Sequence, residues 1–197
     1  MRKLIFTGIY ILLMTGLTAA AQNKIRIRND TLPTALLLVD IQDFYFPGGK
    51  LPLVKPEAAG EKAARILALF REQKLPVVHV QHAGGSPIHA GVAPKQGEKV
   101  ITKTEANSFN GTDLLDYLKF LEVKRLVICG MQTHMCLEAA TRAAYDFGFA
   151  CIVVQDASAT RDLKWGDRTI TAADVHASTL ASLSRFYAVI VSADDLE

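Results

Sequence analysis

Three side chains that can carry nucleophilic and acid–base chemistry each follow a predicted strand: Asp40, Lys103 and Cys136. A thiol can attack a carbonyl carbon when a neighbouring carboxylate takes its proton and a cation stabilises the charges that form. Sites in open α/β sheets lie beyond the carboxyl ends of the strands, so these residues can converge although they are far apart in sequence. Taken singly, each also fits a structural interpretation, as a cap, a solvated charge and a buried core thiol.

Strands and helices alternate along the chain in the way that a parallel sheet requires. Apolar runs predict strands at 34–40, 77–81, 99–103, 125–129, 150–155 and 188–191, and helical spacing predicts helices at 57–73, 113–121, 137–147 and 172–183. A turn is expected at 130–136 and a loop rich in Gly, Pro and Ser at 82–97. The alternation predicts an α/β three-layer sandwich, a mostly parallel β-sheet flanked by helices.

Length and charge restrict the class of protein. The chain has 197 residues, of which 50% are hydrophobic, and this fits one globular domain with a full core. The formal net charge is +2, with both signs spread along the chain. Binding to a phosphate backbone would need a basic stripe, which the sequence lacks, so we expect no nucleic-acid partner.

The first residues have the composition of an export signal. Arg2 and Lys3 precede an apolar run over 4–17, and the small residues Ala19, Ala20 and Ala21 follow. This pattern predicts a signal peptide over 1–21 and a mature domain over 22–197 that is secreted or periplasmic and has no membrane partner after cleavage. An uncleaved anchor is the alternative, although the run is short for a bilayer span of ~20 residues.

Three segments together resemble the isochorismatase-like superfamily of cysteine hydrolases. They are LLLVDIQDFYF, ITKTEANSFNGTDL and VICGMQTHMCLEAATRAAYDFGF, in the order and spacing of the family, and the resemblance covers residues from about 34 to 192. It implies the isochorismatase-like hydrolase fold, with Cys136 as nucleophile, Lys103 as the cation beside it and Asp40 as proton acceptor. We expect the charge of Lys103 and the helix N-terminus to hold Cys136 as a thiolate.

The resemblance also implies a non-proline cis bond between Met131 and Gln132. The backbone N–H groups of Gln132 and Cys136 would then form an oxyanion hole. Thr133 is interpreted as a hydroxyl that stabilises the turn, and His176 as structural.

A nucleophilic cysteine favours hydrolysis of the C–N bond of a small amide through a thioester. Two alternatives stay open: vinyl ether hydrolysis of the isochorismatase type, which does not need the cysteine, and a catalytically silent binding protein. The superfamily resemblance further suggests a homo-oligomer.

Aromatic and imidazole side chains are candidates for the substrate pocket. Phe44, Tyr45, Phe46 and Phe109 can form an aromatic wall, although aromatic residues there are as often core. His82 and His134 are the other two pocket candidates.

No metal or cofactor is expected. The nicotinamidase branch of the superfamily carries an Asp and His cluster after its first catalytic Asp, whereas residues 41–56 contain no His. His79, His82 and His89 lack a matching carboxylate, so a metal site is not expected, and His79 and His82 are interpreted as packing and hydrogen-bonding residues. Cys129 and Cys151 lie in apolar strands, where two buried thiols are favoured over a disulfide.

Overall fold

The computed structural model of the protein describes residues 24–29 and 31–197. The strands are β1 (Thr34–Val39), β2 (Val77–His82), β3 (Lys99–Lys103), β4 (Arg125–Met131), β5 (Ala150–Ala159), β6 (Leu163–Trp165), β7 (Arg168–Ile170) and β8 (Val189–Val191). The α-helices are α1 (Pro56–Glu72), α2 (Leu114–Phe120), α3 (Glu138–Asp146) and α4 (Ala172–Ser184). The predicted signal peptide, residues 1–21, lies outside the described residues.

Six strands form one parallel sheet in the order β3-β2-β1-β4-β5-β8. The chain first builds outwards from β1 to β3 and then returns to the other side of β1 to add β4, β5 and β8. The direction of building therefore changes between β1 and β4, and such a switch point opens a crevice at the carboxyl ends of the two strands.

The sheet is buried on both faces, which confirms the predicted α/β three-layer sandwich. Every residue of β1 is buried, and its side chains alternate between two separate cores. Leu36 and Leu38 belong to the core that includes the apolar residues of α1, whereas Leu37 and Val39 belong to the core that includes those of α3 and α4. A helix with an apolar stripe therefore covers each face of the sheet.

The same alternation separates the cysteines. Cys129 lies in the core on the α1 side of the sheet, and Cys151 lies in the core on the opposite side. The sheet stands between these two thiols, so they cannot form a disulfide without a rearrangement of the backbone. All three cysteines, including Cys136, are free thiols, as the sequence favoured for Cys129 and Cys151.

One local prediction was wrong, and one element was not predicted. Gly130 was expected to begin a turn, but β4 continues through it to Met131, and a π-helical turn over Thr133–Leu137 then runs directly into α3. The polar stretch around Trp165 contains an antiparallel hairpin, β6 and β7, which was not predicted. Its strands have three residues each, too few for a period to show in the sequence.

No helix among residues 24–29 and 31–197 is long and apolar enough to cross a membrane.

Candidate active site

The topology brings the three candidate residues to the switch point. Asp40 directly follows β1, and Cys136 lies in the turn after β4, the neighbouring strand. Lys103 ends β3, which is separated from β1 by β2, a span of roughly 10 Å at the usual strand spacing. Only a long side chain can cross the end of β2, and the lysine does so to meet Asp40.

Asp40 and Lys103 form a buried ion pair. Lys103 Nζ donates to Asp40 Oδ2 at 2.7 Å, and both side chains are fully buried. The same ammonium donates to the carbonyl of Glu105 at 3.0 Å. The second carboxylate oxygen, Asp40 Oδ1, is buried and has no hydrogen-bond partner among the described residues. This oxygen is therefore free to take a proton.

The electrostatics differ from the expectation of a resting thiolate. Burial, followed by the charge of Asp40, raises the pKa of Cys136 to about 12, although Lys103 acts in the opposite direction. Burial also raises the pKa of Asp40, and the charge and hydrogen bond of Lys103 oppose that shift. The high pKa favours a neutral resting thiol, and Lys103 favours the charged form of the neighbouring Asp40. This arrangement suits proton transfer at the moment of attack.

The segment from Gly130 to Leu137 joins the last two residues of β4 to the start of α3 and is called the nucleophile turn below. It carries the thiol and two potential oxyanion donors. The bond between Met131 and Gln132 is cis, as predicted. The N–H groups of Met135 and Leu137 both donate to the carbonyl of Gln132, at 3.0 and 3.3 Å. N–H groups in the first turn of a helix lack intrahelical acceptors, and Cys136 lies in such a turn.

Gly130 lets β4 approach β1 at the start of the nucleophile turn. Its φ is +133°, and a Cβ atom at this position would lie 2.0 Å from the carbonyl oxygen of Val39. The sequence identified this glycine only as a turn residue. The structure instead requires it for the close contact of two strand backbones.

Substitution of Gly130 by Ala is expected to lower the free energy of unfolding by at least ~2 kcal/mol, from a strained φ and a backbone clash together. Gly148→Ala is the matched control, because Gly148 also has a positive φ but nothing within 4 Å of its would-be Cβ. Urea unfolding of the two variants measures the difference. An equal decrease in the free energy of unfolding of both variants would show that the contact with Val39 contributes nothing to the destabilisation.

Gln42 is a site residue to which the sequence analysis gave no role. The Gln42 side chain is fully buried. Its Nε2 donates to the carbonyl of His82 at 3.2 Å and to the carbonyl of Ser86 at 2.7 Å. Its Oε1 accepts from the N–H of His82 at 2.8 Å. The side chain thus fixes the loop after β2 beside Asp40. Its position two residues after Asp40, in a motif shared with the family, was the available signal.

The predicted pocket residues separate into two groups. Phe44 and His82 line a cavity of about 680 Å³ between residues 43–50 and 82–86. The cavity does not include Cys136, but its wall residue Ala83 donates its N–H to the carbonyl of Lys103 at 2.8 Å, so the cavity lies beside the strand end that carries the ion pair.

The other predicted pocket residues lie elsewhere. Phe46 is buried and stacks on His89, with ring centroids 3.7 Å apart, and Phe109 is buried beside Phe147 and Phe149. His134 contacts Thr160, on the β5 side of the nucleophile turn. Phe46 and Phe109 thus have the core environment that was the alternative interpretation.

His79, in β2, and His89, after β2, each pair with a carboxylate, which corrects the expectation that these histidines lack one. His79 is buried and pairs with Glu98 at 2.9 Å, and Arg71 lowers the pKa of that glutamate to about 2. His89 Nδ1 lies 2.7 Å from Asp43 Oδ1. Within residues 24–29 and 31–197, no three His, Cys, Asp or Glu side chains are grouped as metal ligands would be.

A parallel α/β sheet with a thiol, a carboxylate and an ammonium group at its switch point defines the class: an α/β protein with a candidate cysteine nucleophile. Comparison with known proteins identifies the family. The chain belongs to the isochorismatase family, since residues 34–194 match the isochorismatase domain.

Three relatives illustrate the match. The isochorismatase family protein YddQ of Bacillus subtilis is 42% identical over 81% of this chain and 96% of its own length. A solved structure from Oleispira antarctica, assigned to the isochorismatase hydrolases, superposes with a TM-score of 0.81 at 46% identity, over 85% of this chain and 97% of the other. Maleamate amidohydrolase of Pseudomonas putida is 30% identical over 82% of this chain and 84% of its own length. Membership of this family, whose relatives include named hydrolases, identifies the protein as a hydrolase.

Proposed function

We propose that the protein hydrolyses the C–N bond of a small amide through a thioester on Cys136. The observation that carries the proposal is the buried Asp40–Lys103 pair, with a free carboxylate oxygen near a neutral thiol. Hydrolysis of a vinyl ether would not require a thiol at this place. A protein that only binds a ligand has no need to keep a charged carboxylate buried at a cost in free energy.

The first half of the reaction forms the acyl enzyme. Cys136 Sγ attacks the amide carbon while Asp40 Oδ1 takes the thiol proton, and the carbonyl oxygen becomes an oxyanion that accepts hydrogen bonds from the N–H groups of Gln132 and Cys136. Asp40 then donates the proton to the amide nitrogen. The C–N bond breaks, ammonia or an amine leaves, and the acyl group remains on sulfur.

The second half returns the enzyme to its resting state. Asp40 takes a proton from a water molecule, the resulting hydroxide attacks the thioester carbon, and the C–S bond breaks. The sulfur recovers a proton from Asp40, and a carboxylic acid leaves. Lys103 does not exchange a proton in this sequence; its charge keeps Asp40 ionised between the steps.

Two further observations support an amide substrate of small size. The relative from Pseudomonas putida is named for the hydrolysis of an amide, maleamate. The cavity of about 680 Å³ beside Phe44 and His82 lies within the range of small-molecule sites.

We also propose export from the cytoplasm, supported by the charged and apolar pattern of residues 1–21.

The test is a panel of small primary amides assayed for released ammonia. Wild-type protein should release ammonia from at least one compound, and Cys136→Ala should not. Cys151→Ala is the matched control, because Cys151 is a buried thiol in the same core as Cys136 but is not part of the proposed site. An acyl adduct on the peptide that holds Cys136, detected by mass spectrometry with a slow substrate, would support the thioester. Turnover that survives in Cys136→Ala would contradict it.

A further inference from the structure

Three consecutive side chains of the nucleophile turn are hydrogen-bonded to one later segment, residues 160–176. The pairs are Gln132 with Arg161 at 3.1 Å, Thr133 with His176 at 2.9 Å and His134 with Thr160 at 2.6 Å. The segment begins immediately after β5 and ends inside α4. The turn that carries Cys136 is therefore attached both to the chain that follows β5 and to α4.

The hydroxyl of Thr133 is enclosed by the protein. The side chain of Thr133 has no exposed surface, whereas its partner His176 is half-buried. A hydroxyl without direct access to water depends on its partner in the protein, because no solvent molecule can easily replace a lost hydrogen bond. Loss of the contact with His176 would remove the hydrogen bond that the Thr133 hydroxyl makes among the described residues.

The Thr133 hydroxyl lies 2.9 Å from Nδ1 of His176. Burial lowers the pKa of His176, which favours the neutral ring. Lys55 and Asp156 are the charged residues that line the same cavity as His176. A neutral ring with its proton on Nε2 accepts at Nδ1, and the Thr133 hydroxyl is then the donor.

We propose that His176 is a positioning residue for Cys136, which acts by holding Thr133 and thereby the nucleophile turn against α4. Thr133 lies three residues before Cys136 and directly after Gln132, whose N–H group is one of the proposed oxyanion donors. A turn released at Thr133 would displace the thiol and an oxyanion donor together. The inference rests on the proposed function, because it assumes that Cys136 is the nucleophile.

The test compares two valine substitutions of buried threonines. Thr133→Val removes the hydroxyl that contacts His176. Thr141→Val is the matched control, because Thr141 is equally buried, lies in α3, and donates to the carbonyl of Leu137 within its own helical segment. Each variant loses one buried hydrogen bond, so we expect similar decreases of a few degrees in Tm.

Only Thr133→Val should change the chemistry. We expect its kcat for an amide to fall about tenfold with KM within about twofold, because the reacting groups are misplaced after the substrate has bound. The pKa of Cys136 should fall towards its ordinary value near ~8.5, so alkylation by iodoacetamide at neutral pH should become faster. Thr133→Ser should restore both quantities, and His176→Leu should reproduce the effect of Thr133→Val without adding to it in the double variant.

Equal kcat values and equal alkylation rates in Thr133→Val and Thr141→Val would overturn the positioning role of His176. A failure of the proposed function gives a different pattern, since ammonia release would then survive in Cys136→Ala. The alkylation rates do not depend on turnover. They therefore report on the position of the thiol whichever amide the enzyme prefers.

Discussion

Asp40→Asn should reduce amide turnover about 10²- to 10⁴-fold, the usual worth of a general acid–base group, and at the same time make Cys136 easier to alkylate. The first effect follows because an amide side chain neither takes the thiol proton nor protonates the leaving nitrogen. The second follows because the charge of Asp40 raises the pKa of Cys136, whereas Lys103 lowers it. Without the carboxylate, Lys103 stabilises the thiolate unopposed.

The pH dependence of iodoacetamide alkylation, followed by mass spectrometry of the Cys136 peptide, measures the second effect. Each pH unit by which the pKa of the thiol falls raises the alkylation rate at neutral pH up to about tenfold. Asp146→Asn is the control, since it makes the same change of charge at an exposed residue at the end of α3. Slower alkylation in Asp40→Asn than in the wild type would mean that Asp40 stabilises the thiolate, and the proposed resting state would be wrong.

Lys103→Met should lower the free energy of unfolding by ~3–5 kcal/mol near pH 8, because it leaves a buried carboxylate without its cation. The loss should shrink as the pH falls. Burial already raises the pKa of Asp40 above its value of 3.8 in the unfolded chain, and removal of Lys103 raises it further. A group with a raised pKa in the folded state stabilises the fold when protonated, and this stabilisation disappears as the pH rises through that pKa.

Urea unfolding at pH 5.5 and pH 8 tests this dependence. Lys99→Met is the control on the same strand: Lys99 pairs with Asp113, whose side chain is 63% exposed, and an exposed pair contributes only ~0–1 kcal/mol. The difference between the two lysine variants should be large at pH 8 and smaller at pH 5.5. A loss in Lys103→Met that does not change with pH would contradict the assignment of a shifted pKa to Asp40.

The layers of the fold could be predicted from the sequence because they depend on patterns that extend over many residues. The continuous apolar run of β1 and the helical spacing of α1 each allow one interpretation, and the alternation of such segments defines the sandwich. The nucleophile turn could not be predicted in the same way. A glycine after an apolar run is typical of a turn, and only the position of Val39 in space shows that β4 needs Gly130 inside the strand.

The sequence predicted which side chains meet at the candidate site, but it predicted their protonation only in part. The three reactive side chains are in one place, but the pKa of Cys136 depends on its burial and on the balance between Asp40 and Lys103, which a sequence does not contain. The same limit applies to Gln42 and His176. Their contacts join segments more than 30 residues apart, and no local pattern records such a pair.

The high pKa of Cys136 also bears on the export proposed above for the protein. The thiolate, and not the thiol, attacks peroxides and disulfides, so a cysteine that ionises only during attack on substrate reacts slowly with oxidants. Cys129 and Cys151 are equally protected, since burial raises the pKa of each to about 12. Under the proposed export, the three free thiols would in this way remain reduced where no glutathione pool repairs them.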